Sequence, residues 1–356
     1  MHAHVHVVKC MGLAPCIDVK NVCLAILLTA ILSARALPAR ADPTIQADLG
    51  RLLFSDLALS HDGKTSCQSC HDPAHAYADP HPQSTGSDGK VGTRNAPSLV
   101  GIGSNESFTW DGRRTRLEDV VLDPFTNPVE LALPSKNDII TRLKQQPGML
   151  EKFRAAFPSK RNVPTLHQVG FALALFVRSL KTETSAYDRA IAKHSSLMPN
   201  VERGHELFKG LAGCIECHSA TLFADGQFHH SGIGQTVQSR HLSELTQAVI
   251  RENLSMDALG PKVLTNSDWS SLGRFAVTKR PLDIGAFRTP SLRNVAATAP
   301  YMHDGSVATL SEAVDQEIYY RGLSKGHPIN LSSAERQAIV AFLESLTDET
   351  YVNRVK

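Results

Sequence analysis

Cysteine is scarce in this 356-residue chain and almost wholly committed. Of seven, Cys10, Cys16 and Cys23 lie in the first forty residues; Cys67, Cys70, Cys214 and Cys217 form two copies of C-x-x-C-H, completed by His71 and His218. Beyond the N-terminal segment no cysteine is left for a separate structural disulfide, which excludes a disulfide-framed secreted domain. Methionine is equally thin: after Met1 and Met11 only Met149, Met198, Met256 and Met302 remain. Long apolar runs are missing except for 13 residues at 22–34, which follow Lys9 and Lys20 and precede Ala39-Arg40-Ala41. That run is short for a membrane span, and Ala39 and Ala41, small residues two apart after it, read as a cleavage site. Residues 1–41 are therefore expected to be a signal peptide, with a retained anchor as the alternative. The exported chain would begin near Asp42 in the periplasm, free of the membrane. Excess charge is absent too. Lys9, Lys20, Arg35 and Arg40 against Asp18 give residues 1–41 a charge of +3 out of the formal +2, leaving −1 for the rest. Such a balance argues against a nucleic-acid binder. Finally, no strand-like alternation of any length is visible, so the expected fold is mainly α.

What is present is arranged in two halves. About 315 residues after the presequence suggest two domains. "LGRLLF" and "RGHELF" place Gly50–x₃–Phe54 and Gly204–x₃–Phe208 ahead of the two cysteine motifs as a weak repeat. The expected division is 42–163, a connecting helix and linker at 164–199, and 200–356. Leu166, Val169, Leu173, Phe176, Val177 and Leu180 share one helical face after Pro164, a helix expected where the domains meet. Thr309 with Glu312 and Ser332 with Glu335 form capping boxes that open two later helices. Residues 235–271 read as an insertion with one amphipathic stretch, "LSELTQAVIREN".

C-x-x-C-H is the attachment motif of a c-type haem: both thiols form thioethers to one macrocycle and the histidine is held under the iron. A zinc site or a thioredoxin-like redox pair are the other uses of such cysteines, the latter in a βαβ context that is not seen here. Two copies in an exported chain with no spare cysteine favour two haems. Two covalent haems are compatible with an electron carrier or an enzyme, and the second axial positions decide between them. A carrier closes both irons, whereas a peroxide-using enzyme leaves one open beneath an acid–base residue.

"GTRNAPSL", "FTWDGRRTRLEDVVLDPFTNPVEL" and "GAFRTPSLRNVAATAPYMHDGSVATLSEAV" resemble, in order and across nearly the whole mature chain, the bacterial dihaem cytochrome c peroxidase and MauG-like family. The resemblance implies two cytochrome c-like haem domains packed around an inter-haem interface. Peroxide would be cleaved at the N-terminal haem on His71, with Glu130 of "NPVEL" moving a proton between the peroxide oxygens and Pro124 in the pocket. Val120 stands where the family usually has a pocket glutamine. Trp110 matches a tryptophan between the haems that relays electrons to the C-terminal haem on His218. Asn95 with the carbonyls of Thr298 and Pro300 matches an inter-haem Ca²⁺ site. The distal ligand of the second haem falls on Glu317 by ungapped counting from "HDGS". It falls on Tyr319, with Tyr320 adjacent, when counted from the following "RG"; Tyr319 is the reading adopted. Ser87 occupies the position of the family's distal histidine, with His75 and His81 nearby but out of register. These features imply an exported peroxidase of the MauG-like branch that oxidises a partner protein, as monomer or homodimer. The alternatives are peroxide removal with a small cytochrome or cupredoxin donor, and a non-enzymatic dihaem carrier.

Overall fold

A helix crossing used twice organises the chain. In the computed structural model, which describes residues 42–158, 163–233 and 241–352, the Pro43–Phe54 helix crosses the Leu166–Ser179 helix, and Pro199–Lys209 crosses Ser333–Ser345. Each crossing is made at a glycine. A Cβ on Gly50 would stand 2.0 Å from the Ala172 carbonyl oxygen, and one on Gly204 would stand 1.9 Å from that of Ala338. One turn beyond each crossing alanine lies a phenylalanine, Phe176 or Phe342. It packs on Phe54 or Phe208 at a centroid distance of 5.1 Å in both copies. The weak Gly–x₃–Phe repeat is thus one half of a packing unit whose other half is Ala–x₃–Phe. Ridge-into-groove packing this close requires the missing side chain.

Around the first crossing grows an apolar core running from Leu49 to Val177; around the second, one from Leu207 to Leu346. The 166–179 helix, expected where two domains meet, instead lies inside the first core: Val169, Leu173, Phe176 and Val177 are all buried there. Both foreseen capping boxes form, at Thr309 with Glu312 and Ser332 with Glu335. The described residues constitute one compact unit.

The presequence reading of 1–41 lies outside the described residues. The segment read as an insertion does have structure from 241 onward. Helices Leu242–Glu252, Met256–Thr265, Ser267–Ser271 and Phe275–Thr278 bury Val249, Leu259, Val263, Trp269, Leu272 and Phe275 in a core of their own. A two-stranded antiparallel ribbon, Phe228–His230 with Ala286–Arg288, is the only sheet among the described residues. The fold is mainly α.

Candidate haem sites and the seam between them

Each C-x-x-C-H turn is built by the same local logic. Ser66 and Ser69 cap the Cys67–Cys70 helical turn, and the His71 backbone N–H donates to the Cys67 carbonyl at 3.0 Å; His218 does the same to Cys214 at 2.9 Å. Nδ1 of His71 donates to the Tyr77 carbonyl at 3.0 Å and Nδ1 of His218 to that of Phe223 at 2.8 Å. A carbonyl can only accept, so both rings carry the proton on Nδ1 and present the Nε2 lone pair, the tautomer a metal needs. Tyr77 and Phe223 reach that position through left-handed backbone, φ 57° and 51°, and their rings pack edge-on against Phe54 and Phe208. Burial lowers the pKa of His71 and pushes that of His218 down to about 4, so both imidazoles stay neutral.

The other uses of such cysteines do not fit. Burial pushes the thiols of Cys67, Cys70 and Cys214 up to about 12, the opposite of the lowered pKa that a dithiol redox pair requires. For zinc, ligating atoms must converge. Among the described residues the only such trio is Cys217, Asp225 and His229, which leaves out Cys214 and His218. His229 moreover spends Nε2 on Asp225 at 2.7 Å.

Two cavities adjoin the two motifs. The smaller, about 220 Å³, is lined by Cys67, Cys70 and His71 and also by Val120, Pro124 and Glu130. Among the described residues of its wall His71 is the sole histidine, and there is no methionine or tyrosine. Two acids face it. Asp123 is held by Arg114 through two bonds of 2.7 and 2.6 Å, while no hydrogen bond or ion pair among the described residues ends on the Glu130 carboxylate. Burial pushes Glu130 up to about 7, against the pull of Arg113 and with a push from Asp123. Ser84 Oγ and Arg113 Nε are buried, unpartnered donors of residues in this same wall, beside Arg94 and Arg288. Such orphans suit a ligand that brings its own acceptors, as the two carboxylates of a haem do. Ser87 is turned away: its hydroxyl donates to Asp62 and to the Leu131 carbonyl. His75 pairs with Asp72 and His81 with Asp79, and neither reaches the cavity.

The larger cavity, about 620 Å³, is lined by Cys214, Cys217 and His218, by Thr298 and Pro300, and by Glu317 and Tyr320. Tyr319 is not brought to it. That ring is 62 % exposed on the outer face of the Leu310–Lys325 helix, because a residue two beyond Glu317 is turned by about 200°. Burial pushes Glu317 up to about 7, opposed by Arg321.

Asn95, Trp110 and Arg288 line both cavities. Trp110 is clamped there: Nε1 donates to the Asn95 carbonyl at 2.9 Å, and its own carbonyl accepts from the Arg288 backbone at 2.8 Å. Asn95 Nδ2 donates to the His81 carbonyl at 3.0 Å. Among the described residues nothing donates to its Oδ1 or to the carbonyls of Thr298 and Pro300.

The family profile "Di-haem cytochrome c peroxidase" matches residues 44–196. The chain is 32 % identical over 326 residues to "Cytochrome-c peroxidase IdrP2" of Denitromonas iodatirespirans, covering 88 % of this chain and 85 % of that one. This chain belongs to the dihaem cytochrome c peroxidase and MauG family. It is likewise 32 % identical to "Methylamine utilization protein MauG" of Methylorubrum extorquens, over 85 % of this chain and 78 % of that one. A crystal structure of a MauG-like protein associated with microbial copper homeostasis superposes with a TM-score of 0.72 at 31 % identity, covering 86 % and 91 % of the two chains. Family membership makes the protein a haem peroxidase-type oxidoreductase with two c-type haems, which the paired cysteines, neutral histidines and adjoining cavities fit.

Sequence reasoning missed Arg113 and Ser84 at the smaller cavity, and the 241–284 segment that closes over it. Leu264 reaches the cavity wall; Thr93 Oγ1 donates to the Val263 carbonyl at 2.7 Å, and Arg94 donates to Ser270 Oγ and carbonyl, both at 3.0 Å. Arg94, in "GTRNAPSL", and Arg113, in "WDGRR", lay inside quoted motifs, but nothing in their spacing assigned them to a cavity.

Proposed function

We propose that this protein is an exported peroxidase of the MauG-like kind, which breaks hydrogen peroxide at the N-terminal haem and passes the oxidising power through the seam to a partner protein. The observation that carries the reading is the wall of the smaller cavity, where among the described residues His71 has no second histidine, methionine or tyrosine to close an iron, and Glu130 has no hydrogen-bond partner. A haem there would be held by Cys67, Cys70 and His71 and would supply the redox chemistry that breaks an O–O bond. Glu130 accepts the proton of the first peroxide oxygen and returns it to the second, a task suited to a carboxyl poised near 7. Asp123, neutralised by Arg114, stays out of that exchange. Pro124 and Val120 keep the wall apolar, so peroxide is oriented without the amide usual in the family. Trp110, fixed at both ends between the cavities, stands where it would relay electrons between haems held by His71 and His218.

Asn95 Oδ1 and the carbonyls of Thr298 and Pro300 are hard oxygen donors at the same seam, suited to Ca²⁺. Localisation follows from covalent haem attachment, which is completed outside the cytoplasm. No helix among the described residues is long and apolar enough to cross a membrane.

The test is a single turnover: oxidised holoprotein receives one equivalent of peroxide, then reduced small cytochrome or cupredoxin. Slow electron uptake from the small donors, with rapid quenching by a protein substrate from the native periplasm, supports the reading. Fast, saturable oxidation of a small donor would instead make the protein a peroxide-removing enzyme.

A further inference from the structure

We propose that Glu317 is the side chain presented to the second axial position of the C-terminal haem. The inference rests on the reading of His218 as that haem's proximal ligand. Along the Leu310–Lys325 helix, Leu310, Val314, Glu317, Tyr320 and Ser324 recur at three- and four-residue spacing and line the larger cavity. Glu317 is the one carboxylate on this stripe, between buried Val314 and Ile318. No hydrogen bond or ion pair among the described residues ends on it. Arg321, one turn on, spends its guanidinium elsewhere, on Glu216 at 2.8 Å and the Ala212 carbonyl at 3.1 Å. A largely desolvated carboxylate flanked by apolar side chains and without a hydrogen bond is costly, and a ferric centre, which carries net positive charge, would relieve that cost.

Several of the other ligating groups in this cavity are engaged, and Met302 and the Tyr320 hydroxyl are the competitors that their variants test. His229 Nε2 pairs with Asp225 and His230 Nε2 accompanies the Ile284 carbonyl at 3.0 Å. The Tyr301 hydroxyl donates to the Val295 carbonyl at 3.1 Å, and His303 is stacked on Phe287 at 3.7 Å. Tyr320 is seated on Gly232, where a Cβ would come within 1.9 Å of its ring. Tyr319 faces outward.

The experiment is electron paramagnetic resonance, near-infrared magnetic circular dichroism and redox titration of oxidised holoprotein carrying Glu317→Gln, Tyr319→Phe, Tyr320→Phe or Met302→Leu, with haems counted per chain. Glu317→Gln is expected to alter the spin state and potential of one haem and leave the other unchanged, while the remaining three variants match wild type. Should Glu317→Gln not accumulate, Glu317→Met is expected to yield a low-spin signal with thioether ligation. Spectra of Glu317→Gln or Glu317→Met that superimpose on wild type would overturn the assignment. So would a shift caused by Tyr320→Phe or Met302→Leu instead. Fewer than two haems in the wild-type chain would sink the dihaem reading itself, a result distinct from two haems with an unaltered spectrum.

Discussion

At the scale of single residues, the proposed function assigns the chemistry to Glu130 and Trp110. Glu130→Gln removes the proton acceptor and keeps the shape, so peroxide turnover should fall by about 10²- to 10⁴-fold with both haems still attached. Stopped-flow kinetics at matched haem content measures it. The sign of the pH dependence follows from burial, which places the Glu130 carboxyl at about 7. The base form is the ionised one, so the rate should decline as pH drops below 7, and the variant should lose that limb of the profile. Trp110→Phe should leave the first reaction with peroxide nearly intact but slow the sharing of oxidising power between haems, seen as oxidation confined to one haem's absorption. These positions were legible because motif and cavity agree: Glu130, Pro124 and Val120 all reach one wall. Tyr319 was not. On a helix each residue turns the side chain by about 100°, so counting from either side of a two-residue discrepancy selects opposite faces. Only the folded helix shows that Glu317 and Tyr320, not Tyr319, look inward.

At the scale of elements, the two glycine crossings set the packing beside each C-x-x-C-H motif. On helix propensity alone Gly50→Ala and Gly204→Ala should stabilise by up to about 1 kcal/mol. The carbonyl contacts at 2.0 and 1.9 Å reverse the sign, and each variant should instead lose about 1–3 kcal/mol in denaturant unfolding. An unchanged or higher midpoint would show that the helices separate freely. The Gly–x₃–Phe half of this unit could be read in the sequence, as could the capping boxes, because both are local. The Ala–x₃–Phe half lies more than a hundred residues downstream in each copy, and nothing local links the partners. The 241–284 helices were obscure for a related reason: their core is private, but their purpose comes from Thr93 and Arg94, far off in sequence.

Across the whole molecule, a buried charge cluster ties the smaller cavity to that late segment. Asp111 meets Arg94 at 2.6 Å and Arg113 at 3.1 Å, and its carbonyl accepts from Arg274 at 2.9 Å. Burial opposes the charge on Asp111, yet Arg113 and Arg94 together hold its carboxyl well below the usual range. A depressed carboxylate contributes stability above its unfolded pKa and loses it as pH falls. Asp111→Asn should therefore cost about 3–5 kcal/mol at neutral pH, by leaving two arginines uncompensated. It should also flatten the acid limb of a stability profile measured by chemical unfolding. The central claim, an N-terminal haem open to peroxide in the resting state, is tested most directly by adding one equivalent of hydrogen peroxide to the fully oxidised holoprotein and following its optical and paramagnetic spectra. The account predicts immediate loss of a high-spin ferric signal and a species two oxidising equivalents above rest, abolished in Glu130→Gln. Spectra indifferent to peroxide until one haem has first been reduced would contradict it.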